Sequence, residues 1–273
     1  MMAGAGAQAR NSKWDKRVRR AGELAERFPH AAEVLTFYRR VLEYQGTLHA
    51  AIFALPLPAE SGAELREQLD VKAVLPYFAG LLDLVEEHGP AKLASEARAM
   101  RGARPEQWAE ALQSELAAQD NPERQSSSFF ARVLLQPYAE RLAGTRPSRP
   151  PGSAGLVCPL CSARPQAAVL HPEGDGGKRF LLCSFCLTEW EFRRVLCPVC
   201  GEEDYQKLPR YSAEHLTALR VEACDTCHYY VKSVDMTVDG LAEPLVDEVA
   251  AASLDIWAAE QGYRKAQVNI MGF

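Results

Sequence analysis

The motif Cys158-Pro159-Leu160-Cys161 returns in similar form three times along the chain, and these four short segments decide the fold. The other three are Cys183-Ser184-Phe185-Cys186, Cys197-Pro198-Val199-Cys200 and Cys224-Asp225-Thr226-Cys227. Together they contain all 8 cysteines of the protein. Two thiolates separated by two residues can bind one metal ion from a tight turn, and two such turns supply the four ligands of a tetrahedral site. The sequence therefore predicts two four-cysteine metal sites.

The spacing of the motifs indicates which of them share an ion. The gaps between successive motifs are 21, 10 and 23 residues. A gap of about twenty residues can contain a β-hairpin and is typical of a metal ribbon. The motifs also recur at 39 and 41 residues, which indicates a duplicated unit. We predict two consecutive ribbons, with ligands Cys158, Cys161, Cys183 and Cys186 in the first and Cys197, Cys200, Cys224 and Cys227 in the second.

An interleaved arrangement, in which the outer motifs share one ion and the inner motifs share the other, stays open because spacing does not fix connectivity. Disulfides are disfavoured by a reducing cytosol, and a redox-active C-x-x-C motif needs a βαβ setting that these segments lack. Four thiolates accept either zinc or iron, so the motifs by themselves leave both metals open.

Composition restricts the class of protein. The chain has 273 residues, enough for two domains, and its hydrophobic fraction of 47% is ordinary for a globular protein. The net charge is −5, whereas ribbons that bind nucleic acid present a basic surface, so we expect no nucleic-acid partner. We expect no signal peptide and no membrane insertion, since no apolar stretch reaches the length of a span, and we expect a cytoplasmic location. A homo-oligomer stays open.

Hydrophobic periodicity places helices before the cysteines and one helix after them, so we predict an α+β protein. The segment Gly144-Thr145-Arg146-Pro147-Ser148-Arg149 and the Pro- and Gly-rich residues after it predict a linker. The predicted organisation is a disordered N-terminus (1–12), a helical domain (13–143), the linker (144–155), the first ribbon (156–196), the second ribbon (197–240), and a C-terminal helix and tail (241–273).

Two residues next to the cysteines are candidates for a part in the sites. Gly201 follows Cys200, and a glycine there permits the positive φ that a metal-binding turn requires. His228 follows Cys227 and is a weak candidate as an alternative ligand, because four cysteines already complete the second site. The sequence contains no nucleophile elbow, phosphate loop or H-E-x-x-H motif, and a four-sulfur site leaves no open position for catalysis. We therefore assign no catalytic residue and expect no enzyme.

The chain resembles the formate dehydrogenase accessory protein family, FdhE. The resemblance is dense from about residue 156 to residue 265 and looser, mainly architectural, before that. The residues that carry it include Leu182-Cys183-Ser184-Phe185-Cys186-Leu187-Thr188-Glu189-Trp190, Arg194-Val195-Leu196-Cys197-Pro198-Val199-Cys200-Gly201, Cys224-Asp225-Thr226-Cys227-His228-Tyr229-Tyr230, Leu254-Asp255 and Glu260-Gln261-Gly262-Tyr263.

This resemblance implies a cytoplasmic accessory protein that binds the catalytic subunit of respiratory formate dehydrogenase during maturation. It also implies that all eight cysteines are metal ligands and that the two metal modules are rubredoxin-like, which favours iron, with zinc as the second choice. The partner surface is not implied by any motif. Two other functions stay open: a rubredoxin-like electron-transfer or redox-sensing protein, and a nucleic-acid-binding zinc-ribbon protein. A general chaperone with interleaved zinc sites is a further alternative.

Overall fold

The computed structural model describes residues 3–56, 64–117, 129–146, 155–174 and 176–273. Helices occupy the first half of the chain, a sheet follows, and helices return at the C-terminus, which confirms the predicted α+β class. The predicted linker at 144–155 lies mostly outside the described residues. No helix within the described ranges is both long enough and apolar enough to cross a membrane.

Two long helices form a hairpin at the start of the chain. They are α1 (Ala3–Arg27) and α2 (Ala32–Phe53), joined by a 3-10 turn at Pro29–Ala31. The Trp14 ring lies 5.8 Å from the His49 ring, so the first half of α1 packs against the last turns of α2. Helix α1 starts inside segment 1–12, for which we predicted disorder. The reason is that this segment is rich in alanine, the strongest helix former.

The rest of the helical domain surrounds one central helix. Three 3-10 turns, at Leu65–Gln68, Val71–Ala73 and Leu75–Tyr77, lead into α3 (Phe78–His88), which is followed by α4 (Ala91–Arg101) and α5 (Pro105–Ala117). The central helix is α6 (Phe129–Ala143), in which nearly every residue is buried, including polar ones. A helix buried on all sides forms the core of a bundle.

Pro137 lies inside α6 and has no N–H group, so the carbonyl of Val133 lacks its usual helical partner. A side chain from α2 replaces that partner, because Gln45 Nε2 donates to Val133 O at 3.1 Å. Gln45 is fully buried, where an unpaired carbonyl would be costly. This contact joins α2 to α6 and makes the proline acceptable in the helix.

The second half of the chain forms a seven-stranded sheet. The strands are β1 (Pro165–Glu173), β2 (Gly176–Cys183), β3 (Glu189–Glu191), β4 (Arg210–Ser212), β5 (Leu219–Ala223), β6 (Tyr229–Asp235) and β7 (Arg264–Lys265). Their order is β3-β2-β1-β6-β5-β4, and β7 also pairs with β6. The neighbours pair antiparallel except for β1 with β6 and β6 with β7, which are parallel.

The parallel pairing of β1 with β6 joins the two predicted ribbons, with Ala167 opposite Lys232 and Leu170 opposite Asp235. The strands of both ribbons therefore belong to one sheet. We predicted two consecutive modules from the motif spacing, which carries no information about pairing between residues so far apart in the chain. The buried apolar side chains of the helices and of the sheet also form one continuous core.

The single helix predicted after the sheet is two helices, α7 (Pro244–Ala250) and α8 (Ala252–Glu260), separated at Ala251. Lys232 on β6 explains the break, because its ammonium group donates to the carbonyls of Glu248 (2.5 Å) and Ala251 (3.2 Å) at the end of α7. A cation at a helix C-terminus satisfies carbonyls that lack helical partners. Helix α7 also packs against α1, so the C-terminal residues contact both halves of the protein.

Candidate metal centres

The first cysteine group lies at one end of the β1–β2 hairpin. Cys158 and Cys161 precede β1, whereas Cys183 ends β2 and Cys186 follows it. Pro165 pairs with Cys183 at this end of the hairpin, which brings the two turns together. The Sγ atoms lie 3.5 Å apart for Cys158 and Cys186, 3.4 Å for Cys161 and Cys183, and 3.5 Å for Cys161 and Cys186.

The second group is built from the turn before β4 and the turn between β5 and β6. Cys197 and Cys200 belong to the former, and Cys224 and Cys227 to the latter. The Sγ atoms lie 3.7 Å apart for Cys197 and Cys227 and for Cys200 and Cys224. Within each group of four, all Sγ atoms lie within 4.8 Å of one another.

The distances fit the geometry of a tetrahedral ion. A metal–sulfur bond of about 2.3 Å places the sulfurs of a regular tetrahedron about 3.8 Å apart. The recorded separations of 3.4–3.7 Å are close to that value. All eight cysteines are free thiols, so no disulfide competes for the sulfurs. Each group could therefore hold one metal ion, and the donor set is suited to iron or zinc.

All four turns share one backbone pattern. The N–H of the first cysteine donates to the carbonyl five residues later, at Ala163, Thr188, Glu202 and Tyr229, over 2.8, 3.0, 2.9 and 3.0 Å. The residue after the second cysteine has a positive φ at each turn: 59° at Ser162, 56° at Leu187, 78° at Gly201 and 57° at His228. The expectation for Gly201 is confirmed. The other three positions are not glycines, so residue type did not predict their positive φ, but their position directly after the second cysteine of each motif could have done so.

Backbone N–H groups point at the sulfurs inside the turns. Leu160 N lies 3.5 Å from Cys158 Sγ, Phe185 N lies 3.3 Å from Cys183 Sγ, and Val199 N lies 3.4 Å from Cys197 Sγ. Such donors favour the thiolate over the thiol and orient its lone pairs. The turns are therefore shaped to stabilise negative sulfur.

Burial acts in the opposite direction on the same sulfurs. It raises the pKa of the Cys183 thiol well above its usual value and that of Cys197 to about 11. A buried thiolate needs a compensating positive charge, and a divalent ion supplies one while displacing the protons. Four converging thiols, several of them buried, are thus chemically matched to a bound cation.

The helical domain contacts both turns of the first group. Leu65 N donates to Leu160 O at 3.3 Å, and Arg66 Nε donates to Cys161 O at 3.1 Å. The Arg66 guanidinium also lies over the Phe185 ring, 4.4 Å from its centroid. These contacts hold the first turn against the domain that precedes it.

The second turn of the first group is held by α6. Arg132 Nη2 and Gln136 Nε2 both donate to Ser184 O, at 3.1 and 3.2 Å. Sequence reasoning did not single out these residues. A signal was present, because they lie four residues apart, on one face, in an otherwise apolar stretch.

His228, the weak candidate as an alternative ligand, lies outside the four-sulfur group. Its side chain is exposed, and its ring lies 6.3 Å from that of Tyr263. The Tyr263 hydroxyl donates to Asp225 Oδ1 at 2.6 Å, so the segment after α8 lies against the turn that contains Cys224 and Cys227.

Comparison with known proteins adds to this geometry. The protein-family models described as "FdhE, central domain" and "FdhE, C-terminal domain" match residues 157–194 and 195–271. The chain is 29% identical to "Protein FdhE homolog" of Aquifex aeolicus over 92% of each chain. It is also 29% identical to the FdhE homolog of Pectobacterium atrosepticum, over 94% of this chain and 86% of the relative.

The fold has a counterpart among solved structures. The crystal structure of the FdhE protein from Pseudomonas aeruginosa superposes with a TM-score of 0.71 and 24% identity, covering 96% of each chain. The fold and the two sulfur clusters define a protein in which a helical domain is joined to a sheet with two four-cysteine centres. The two family models together span both centres, and the chain is similar to FdhE proteins over nearly its whole length.

Proposed function

We propose that this chain is a cytoplasmic accessory protein that binds the catalytic subunit of respiratory formate dehydrogenase during its assembly. The observation that carries the proposal is the match of the two FdhE domains to residues 157–271, the region that contains both cysteine groups. The chain acts by binding and not as an enzyme. Closed four-sulfur centres suit such a role, because they stabilise a binding surface without an open coordination position.

In this proposal the eight cysteines hold two metal ions. Cys158, Cys161, Cys183 and Cys186 bind one ion, and Cys197, Cys200, Cys224 and Cys227 bind the other. The near-tetrahedral sulfur separations and the N–H groups directed at sulfur support this assignment. Iron is the favoured metal and zinc the second choice. Either ion would supply positive charge that fixes the turns, and iron would add one-electron chemistry.

The partner is tested by affinity capture. Tagged protein is expressed in cells that make formate dehydrogenase, and the bound proteins are quantified by mass spectrometry. We expect the catalytic subunit to be enriched over capture with an unrelated rubredoxin, which controls for binding through metal–thiolate turns alone. A catalytic subunit that is abundant in the lysate yet no more enriched than with rubredoxin would contradict the proposed function.

The metal is tested separately, on protein purified without oxygen. We expect two ions per chain by elemental analysis, with iron exceeding zinc. Fewer than two ions in folded protein would contradict the ligand assignment. Two zinc ions in place of iron would contradict only the choice of metal.

A further inference from the structure

The two cysteine groups differ in their access to solvent. Each cysteine of the first group is no more than 1% exposed. In the second group Cys197 and Cys224 are buried, but Cys200 is exposed and Cys227 is half-buried. One edge of the second sulfur tetrahedron therefore faces water, whereas the first is enclosed on all sides.

The surroundings of the two groups account for this difference. Hydrogen bonds from the helical domain reach three backbone carbonyls in the turns of the first group, at Leu160, Cys161 and Ser184. The first group thus lies in the joint between the helices and the sheet. A ligand from solvent can reach the sulfurs of the first group only after the interface between the helices and the sheet opens. Such a partial opening of the fold costs free energy.

The turns of the second group pair with residues of their own ribbon and with the segment after α8, from which Tyr263 donates to Asp225 Oδ1 at 2.6 Å. Thr226 Oγ1 donates to Glu202 at 2.6 Å, and Asp225 N donates to Lys207 O at 2.9 Å. These partners hold the backbone of the turn and leave the Cys200 side uncovered. An incoming ligand can approach an ion there without any opening of the fold.

We propose that the second group is a metal-exchange centre and that the first holds its ion for as long as the helical domain and the sheet stay joined. This inference rests on the proposed binding of two ions. Exchange would proceed by substitution: a thiolate or aromatic nitrogen donor would bond to the ion as the bond to Cys200 Sγ breaks, the other three sulfurs would be displaced in the same way, and each released thiolate would take a proton from water. No oxidant or reductant is needed. A thiol-bearing acceptor could thus receive the ion from this centre alone.

The test loads the full chain with two Zn²⁺ ions and adds excess 4-(2-pyridylazo)resorcinol, a chromogenic chelator with nitrogen donors. We expect two release phases of one ion each, with rates that differ at least about tenfold. The slow phase is release from the first group, which requires the interface between the helices and the sheet to open. Failure to load two ions would contradict the proposed metal binding. Two ions that leave at one rate would overturn the inequivalence while leaving metal binding intact.

Variants assign the phases to the centres. We expect Cys200→Ser to remove or accelerate only the fast phase, and its matched partner Cys161→Ser, at the same position of the first turn, to affect only the slow phase. If Cys161→Ser does not fold, Arg132→Ala opens the cover of the first group while keeping all eight cysteines. Arg132→Ala is expected to accelerate the slow phase and not the fast one. The opposite assignment, or an Arg132→Ala protein with an unchanged slow phase, would overturn the proposal.

Discussion

Arg132 on α6 donates from Nη2 to the carbonyl of Ser184, 3.1 Å away, in the turn between Cys183 and Cys186. Arg132 Nη1 also donates to the carbonyls of Val268 and Asn269, at 3.1 and 3.2 Å. One buried guanidinium thus joins the helical domain, a cysteine turn and the C-terminal tail. It donates to three carbonyls, of which Ser184 O also accepts from Gln136 Nε2 and Asn269 O also accepts from Gly272 N, and its loss should weaken all three attachments.

The first prediction is that Arg132→Ala lowers the free energy of unfolding by about 3 kcal/mol, because the charge-assisted hydrogen bonds of a buried guanidinium are lost and Val268 O loses its donor. Urea denaturation measures the effect. Arg40→Ala, at an exposed position of α2, is the control and should change stability little. Equal stability of the two variants would show that solvent replaces the arginine.

The second prediction concerns the proline in α6. Gln45→Met removes the donor to Val133 O while keeping a side chain of similar size, and it should cost about 2 kcal/mol for an unsatisfied buried carbonyl. Pro137→Ala restores an N–H at position 137, which can donate to Val133 O within the helix. In that background Gln45→Met should cost at least about 1 kcal/mol less. Urea denaturation of wild type, the two single variants and the double variant gives the four free energies of unfolding. If the two changes in free energy simply add, the Gln45 amide does not replace the missing N–H of Pro137.

The third prediction compares two positions of positive φ. Gly201 has a φ of 78°, and a Cβ there would meet nothing within 4 Å, so Gly201→Ala tests backbone strain alone. It should destabilise the protein by about 1 kcal/mol. Ser162 is exposed and has a φ of 59°, so Ser162→Gly should relieve strain and destabilise little or even stabilise. Thermal unfolding of both variants gives the comparison, and a loss at Ser162→Gly larger than that at Gly201→Ala would contradict it.

The fourth prediction is a pH dependence at the junction of α1 and α6. Burial alone would raise the pKa of Glu140, but Arg17 at 2.7 Å and Lys13 at 2.6 Å lower it from 4.5 to about 2. A carboxyl whose pKa is depressed by folding contributes stability that is complete above the unfolded pKa. That contribution is lost as the pH falls from 4.5 to about 2. A shift of this size corresponds to roughly 3 kcal/mol.

Glu140→Gln should therefore destabilise the protein at neutral pH and flatten the decline of stability below pH 4.5. Denaturant titrations at a series of pH values measure both effects. Glu43→Gln is the control, because Glu43 pairs with Arg39 on the surface of α2, where an ion pair contributes little. Parallel pH profiles for wild type and Glu140→Gln would rule out Glu140 as the source of the acid sensitivity.

Some features of the metal centres could be predicted from the sequence. The C-x-x-C spacing identified every cysteine that the structure places in a sulfur cluster, and the glycine after Cys200 indicated a positive φ that the structure contains. The roles of Arg66, Arg132 and Gln136 could not be predicted, because each donates a hydrogen bond to a cysteine turn dozens of residues away in the sequence. A polar side chain in an apolar helix shows that a partner exists but not which one it is.

The local features of this protein follow from its amino-acid order: the helices, the four cysteine turns and the α+β order of the chain. These depend on periodicity and on spacings of a few residues, where the geometry of the backbone leaves few choices. Three features became known only from the folded molecule: β1 pairs with β6, the C-terminal helix breaks at Ala251, and one cysteine group is covered while the other meets solvent. Those outcomes arise from contacts between distant segments, whose free energies depend on the packing of the whole molecule and not on any one stretch of sequence.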